Sequence, residues 1–155
     1  VVVTAPAWLN ESEMQAWKGF LAASIRLMER LDAELEGHGV SLADYEILVH
    51  LSDEPSGELR MTELAARTLV SRSGLTRRLD RLVEAGLVAR RNCSTDRRGV
   101  LAVLTPAGLR RLQQAAPTHV DGVRRHFITP LQGLDVQAVA DALRAIVDSS
   151  EKPAT

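Results

Sequence analysis

Ser71-Arg72-Ser73-Gly74-Leu75-Thr76-Arg77-Arg78-Leu79-Asp80-Arg81-Leu82-Val83-Glu84-Ala85-Gly86 is the stretch that decides the fold. Ser71 is a helix-capping residue type and Gly86 a helix-ending one, so the run predicts a helix from Ser71 to about Ala85. On a helical wheel Leu75, Leu79, Leu82 and Val83 gather on one side, opposite Ser73, Arg77, Asp80 and Arg81. Arg72, Ser73 and Thr76 occupy the first turn and a half. Short hydroxyls and arginines at the start of a helix can reach base edges in the major groove of DNA. The guanidinium fork there matches the O6 and N7 acceptors of guanine.

On the N-terminal side, Thr62–Thr68 predicts a short helix with Leu64 and Ala65 inward. Either Thr62 caps it, or a strand Leu59-Arg60-Met61 runs straight into it. On the C-terminal side, Leu87–Arg90 and Val100–Leu104 are short β-prone runs. The run Arg91–Gly99 between them is too polar for a core and too charged for a tight turn, which predicts a β-hairpin with a long basic tip. Two short helices followed by a hairpin make a winged helix-turn-helix. Arg97 and Arg98 at the tip suit a narrow minor groove, with Asp96 placed to brace an arginine, while Arg90 and Arg91 lower on the wing suit phosphates.

Further out, Glu11–Glu36 carries Met14, Trp17, Leu21, Ile25, Met28, Leu31 and Leu35 at three- and four-residue steps, one long helix stopped by Gly37-His38-Gly39. Ser41 with Asp44 forms a capping pattern for a helix whose apolar face is Leu42, Tyr45, Leu48, Val49 and Leu51. Thr105-Pro106 opens another helix, which Pro117 is expected to kink or restart. Val120, Val123 and Phe127 belong to a further segment. Asp135 caps a last helix bearing Val136, Val139, Leu143, Ile146 and Val147. The expected fold is mainly α with a small β-hairpin wing, a winged helix-turn-helix plus a helical dimerisation region.

Charge distribution supports the same reading. Between Arg67 and Arg98 lie nine arginines and three acids (Asp80, Glu84 and Asp96), a surplus of six positive charges; with the whole chain at −1, the remainder carries −7. A basic block on an acidic body is the footprint of a module that touches phosphates. The competing reading is a solvated face whose arginines pair with neighbouring acids, and three acids cannot neutralise nine arginines.

Other classes find little support. Cys93 is the only cysteine among 155 residues, so no internal disulfide framework exists and a reducing cytoplasm is expected. No run approaches the roughly 18 apolar residues of a membrane span, and Val1-Val2-Val3 lacks the basic flank of a signal peptide. A soluble, cytoplasmic protein away from membranes is the expectation. His38, His50, His119 and His126 show no metal-ligand spacing, and no cofactor is expected. Gly-x-Ser-x-Gly, Walker, Gly-x-Gly-x-x-Gly and His-Glu-x-x-His patterns are all absent, which argues against an enzyme.

Glu63-Leu64-Ala65, Ser71–Arg77, Asp80-Arg81-Leu82 and Gly86–Arg90, followed by Asp96-Arg97-Arg98-Gly99 and Leu104–Gly108, together resemble the reading head of the MarR family of transcriptional regulators. The motifs cover about residues 40–110. Two departures are Arg60, where the family often has Thr or Ser, and Gly74, where a β-branched or hydroxyl residue is usual. The resemblance implies a homodimer on a pseudo-palindromic site of double-stranded DNA, acting as a repressor. It divides the chain into an N-terminal dimerisation helix (1–36), a DNA-binding domain (40–104) and C-terminal dimerisation helices (105–155). The helices 11–36 and 135–148 agree, being too apolar on one face to stand alone.

Resemblance further implies DNA contacts from Ser71, Arg72, Ser73, Thr76, Arg77, Arg81, Arg90, Arg91, Asp96, Arg97 and Arg98. Many relatives respond to small aromatic acids or phenols bound between the dimerisation region and the reading head. The candidates here are Trp17, Phe20, Met28, Tyr45 and His50, with plain core packing as the rival reading. Some relatives switch through a reactive cysteine in a dimerisation helix, whereas Cys93 falls on the wing. The alternative function is a winged-helix protein-interaction module, a class that usually loses the arginines kept here.

Overall fold

Asn10 and Glu13 open the first helix with a reciprocal pair of bonds. Asn10 Oδ1 accepts the Glu13 N–H at 2.9 Å, and the Glu13 carboxylate accepts the Asn10 N–H at 2.8 Å. Two donors that a helix start leaves free are thereby satisfied, and α1 runs Glu11–Glu36 as its periodicity predicts. In this computed structural model, residues 7–68, 71–92 and 99–151 are described.

Ser41 and Asp44 cap α2 (Leu42–Ser52) in the same way. Its buried face is wider than the sequence reading allowed. Ile47 is fully buried and Val49 only half-buried, because α2 is covered on more than one side, by α1 and by the helices and strands that follow. After a turn come β1 (Glu58–Arg60) and α3 (Met61–Arg67) with no residue between them. The strand therefore runs straight into the helix. The Arg60 N–H donates to the Glu63 carboxylate at 3.2 Å, so the helix start is bonded without a Thr or Ser cap.

Ser71 Oγ accepts the Gly74 N–H at 3.2 Å and caps α4 (Arg72–Glu84). Leu75, Leu79 and Leu82 are buried as the wheel predicts. Val83 is not, since it lies at the edge of the leucine stripe and remains 36% exposed. Gly86 takes a φ of +71°, a conformation that side-chain-bearing residues rarely adopt, and turns the chain from α4 into the wing.

The wing is a three-stranded antiparallel sheet rather than a bare hairpin. Strands β2 (Val88–Asn92) and β3 (Val100–Leu104) pair with β3 in the centre and β1 on its other edge. Leu59 and Arg90 both sit opposite the fully buried Ala102. Arg91 and Asn92, expected in the hairpin tip, belong to β2.

Thr105 ties the sheet to α5 (Pro106–Val123). Its hydroxyl donates toward the Gly86 and Leu87 carbonyls at 2.7 and 3.0 Å and accepts the Gly108 N–H at 3.0 Å. A Cβ at Gly108 would lie 2.1 Å from the Leu87 carbonyl oxygen, so only glycine lets α5 rest this closely on the wing. Pro117 does not restart the helix. It lies on an exposed face, as does Gln113, whose carbonyl Pro117 leaves without an N–H donor and open to water. The helix continues through a π-helical turn, Arg124–Ile128, and a 3₁₀ turn, Thr129–Leu131. Asp135 then caps α6 (Val136–Glu151), accepting the Gln137 and Ala138 N–H groups at 2.9 and 3.3 Å.

One core joins α2, α3, α4 and the sheet to the inner faces of α1 and α5. Its fully buried side chains include Leu35, Leu48, Leu51, Leu64, Leu79 and Val88. Outside it, α1 exposes Trp17, Leu21 and Ile25, and α6 exposes Val136, Ile146 and Val147. No helix among the described residues is long and apolar enough to cross a membrane.

Candidate nucleic-acid interface

The side of α4 opposite its leucines is open. Ser71, Ser73, Thr76, Arg77, Asp80 and Arg81 are all exposed, and Ser71 Oγ and Ser73 Oγ stand 3.3 Å apart beside the helix start. Arg77, Arg78 and Arg81, with Gly74 and Asp80, surround a hollow of about 460 Å³ on this helix. The start of a helix adds its own positive field and unpaired N–H groups, both complementary to phosphate.

The arginines are not equivalent. Arg78 is half-buried, and its Nη1 donates to Ser41 Oγ at 2.9 Å and to Asp44 Oδ1 at 3.2 Å. Arg81 approaches the same carboxylate at 4.0 Å. Arg90 on β2 pairs with Asp80 of α4 at 2.7 Å, so wing and helix are tied across their shared face. Arg91 pairs with Glu58, and Arg67 with Glu54. Arg77 takes part in none of these pairs.

These pairs correct the charge argument made from sequence. Within residues 67–98 Asp80 pairs with Arg90, and Asp44, Glu54 and Glu58 reach in from neighbouring elements to other arginines of the block. Exposed pairs of this kind contribute only about 0–1 kcal/mol and exchange readily for a phosphate. Arg91 is 60% exposed and Arg81 64%, so both can make that exchange; Arg78, at 28% against an acid at 14%, is the structural member of the set. Its place three residues after Leu75 puts it on the flank of the buried stripe, a signal the wheel contained. Asp96, Arg97, Arg98 and Cys93 lie outside the described residues, and so does the side chain of Arg72.

A second feature lies between α1, α2 and α5. A cavity of about 420 Å³ is lined by Phe20, Leu27, Met28, Leu42, Glu46, His119, Val123 and Phe127, with Leu143 of α6 at its edge. Of the five residues singled out for an effector, Phe20 and Met28 line it. Trp17 stacks on Phe20, ring centroids 6.3 Å apart, without lining the cavity. Tyr45 is buried behind it, its ring 4.5 Å from that of His119, and burial pushes its phenol pKa up. His50 is half-buried and does not line the cavity.

Sequence reasoning missed Glu46, His119 and Phe127. The signal for His119 was available, since it continues the inward stripe Gly108, Leu112, Ala115 along α5. Burial lowers the His119 pKa, an effect the nearby Glu34 carboxylate partly offsets, and its Nδ1 is buried with no hydrogen-bond partner. Glu34 instead bonds to His126 Nε2 at 2.8 Å and faces Arg125 at 3.4 Å. Among the described residues, no group of three His, Cys, Asp or Glu side chains is placed to hold a metal ion.

Comparison with known proteins gives this geometry a context. A family model described as MarR family matches residues 38–99. The HTH-type transcriptional repressor YetL of Bacillus subtilis (strain 168) is 39% identical over 111 residues, which are 72% of this chain and 66% of that protein. This chain therefore spans just under two thirds of the length of that curated relative. AbsC from Streptomyces coelicolor, described as a MarR family transcriptional regulator, is 40% identical and superposes with a TM-score of 0.87, covering 93% of this chain and 97% of its own. Sco3205 from the same organism, a MarR family transcriptional regulator solved in complex with DNA, is 33% identical with a TM-score of 0.90, covering 96% and 93%.

Proposed function

The chain belongs to the MarR family of transcriptional regulators, and on that premise we propose that it is a repressor that binds a pseudo-palindromic operator as a homodimer. The observation that carries this reading is the open face of α4. An exposed Arg77, free of the surrounding ion pairs, projects beside the Ser71–Ser73 helix start from a helix braced by Leu75, Leu79 and Leu82. In this reading Ser71, Arg72, Ser73, Thr76, Arg77 and Arg81 enter the major groove. Arg90 and Arg91 release their carboxylates to meet phosphates, and contacts in the minor groove are assigned to Asp96, Arg97 and Arg98.

Two copies are needed because one reading head covers only a half-site. The surface for pairing is the apolar face that α1 and α6 leave open, with Ile25 59% and Val147 58% exposed. A two-fold axis through this face makes the operator's symmetry follow from the protein's. The cavity beside Phe20 and Met28 is the place for a small aromatic effector that releases the repressor, and at about 420 Å³ it falls within the usual range for ligand sites.

Selection of binding sites from a random duplex library tests this. The expected product is a two-fold symmetric motif with half-sites about one helical turn apart, roughly 10 base pairs. Failure to enrich any sequence would contradict the operator reading and favour a docking role for the winged fold.

A further inference from the structure

The walls of the cavity between α1, α2 and α5 have an unusual charge balance. Its lining includes two phenylalanines, several aliphatic side chains and one carboxylate, Glu46, but no lysine or arginine. Glu46 is half-buried and, among the described residues, takes part in no salt bridge. Arg78 does not line this cavity; it lines an adjoining hollow of about 410 Å³ that shares Met28, Leu42 and Glu46 with it, and its guanidinium is held by Ser41 and Asp44. The single hydroxyl in the lining, Ser24, already donates to the Leu21 carbonyl at 3.0 Å. His119 is driven toward its neutral form by burial, so it supplies no fixed positive charge.

Within the cavity's own lining, an anionic aromatic acid would meet a carboxylate but no lysine or arginine. A ligand that brings a positive charge into this apolar lining would pair with the Glu46 carboxylate. The faces of Phe20 and Phe127 carry negative quadrupolar charge and attract an ammonium group in the same way.

We infer that this cavity selects an aromatic organic cation, with Glu46 as its counter-ion and Phe20 and Phe127 flanking the charge. The inference rests on reading the cavity as the effector site. It assigns Glu46 a specificity role: the apolar wall holds any ring of the right size, and the carboxylate sets the sign of charge accepted.

Isothermal titration calorimetry on the full chain with three small probes tests it: phenyltrimethylammonium, its uncharged isostere tert-butylbenzene, and benzoate. The wild-type protein is expected to bind the ammonium about tenfold more tightly than the isostere, and benzoate most weakly. Glu46→Gln keeps the size of the side chain and should bring the ammonium down to the isostere's affinity without altering the isostere itself. Equal or tighter binding of benzoate in the wild type would overturn the inference while leaving an aromatic effector site in place. So would an ammonium affinity unchanged in Glu46→Gln. Binding of none of the three would overturn both, without touching the DNA-binding reading.

Discussion

The reading head and the helices that flank it solve the problem of apolar surface in opposite ways. Between α2 and β3, leucines on short elements close on one another, and Leu48, Leu51, Leu64 and Leu79 are completely buried within one chain. Along α1 and α6 the same periodic pattern leaves Trp17, Ile25, Val136 and Val147 in water. Periodicity announces that a face will be covered; it does not say by which chain. The first region covers its apolar face within one chain, and the second leaves its own open, which is the face the proposed homodimer would cover.

The sharpest way to break this comparison is to charge the open face. Ile25→Glu combined with Val147→Glu should halve the sedimentation mass and remove tight binding to a full operator, while leaving the melting of the reading head nearly unchanged. An unaltered mass would mean that α1 and α6 pair through other surfaces or not at all. Next in size, Leu79→Ala removes a fully buried side chain from the head and should lower stability by about 2–5 kcal/mol in urea or thermal unfolding. A loss under 1 kcal/mol would show that the head is looser than its burial implies.

Smaller effects separate the residues within the head. Arg77→Ala should weaken binding to the operator by roughly 1–3 kcal/mol and relax preference at one position of each half-site. If random duplex loses as much, Arg77 contacts phosphate and the assignment of base readout to it falls. The smallest effect lies at the junction of the two regions. His119 has its pKa lowered by burial, so as pH falls below about 6.5 the unfolded chain takes up a proton that the folded chain resists. Its contribution to stability is full above that value and is lost progressively on acidification. His119→Gln should therefore show a shallower fall in Tm between neutral pH and about pH 5.5 than the wild type; an identical fall would show that His119 titrates normally in the fold.

What could be read in the sequence divides along physical lines. Helix ends were legible because caps are local: Ser41 with Asp44, Ser71, Thr105 with Pro106, and Asp135 each act on N–H groups within three residues. The winged arrangement followed from those ends and from two β-prone runs. Features set by packing between distant segments were not legible. Ile47 breaks the expected one-sided pattern because α2 is covered on several sides. The helix runs through Pro117 because its exposed side tolerates the lost bond. Asp44 meets Arg78 across 34 residues, and Glu34 meets His126 across 92, neither of which any local pattern encodes. Of the cavity, the sequence indicated Phe20 and Met28, but not the carboxylate and imidazole contributed by α2 and α5.

A fluorescence-anisotropy titration of the purified protein bears most directly on the central claim. Duplex from upstream of its own gene is compared with random duplex at several salt concentrations, with solution mass measured in parallel. The account predicts a dimer that prefers the upstream duplex and loses affinity steeply as salt rises, as the release of counterions from phosphate contacts requires. Binding to neither duplex at the lowest salt would contradict it and leave the winged fold serving a protein partner instead.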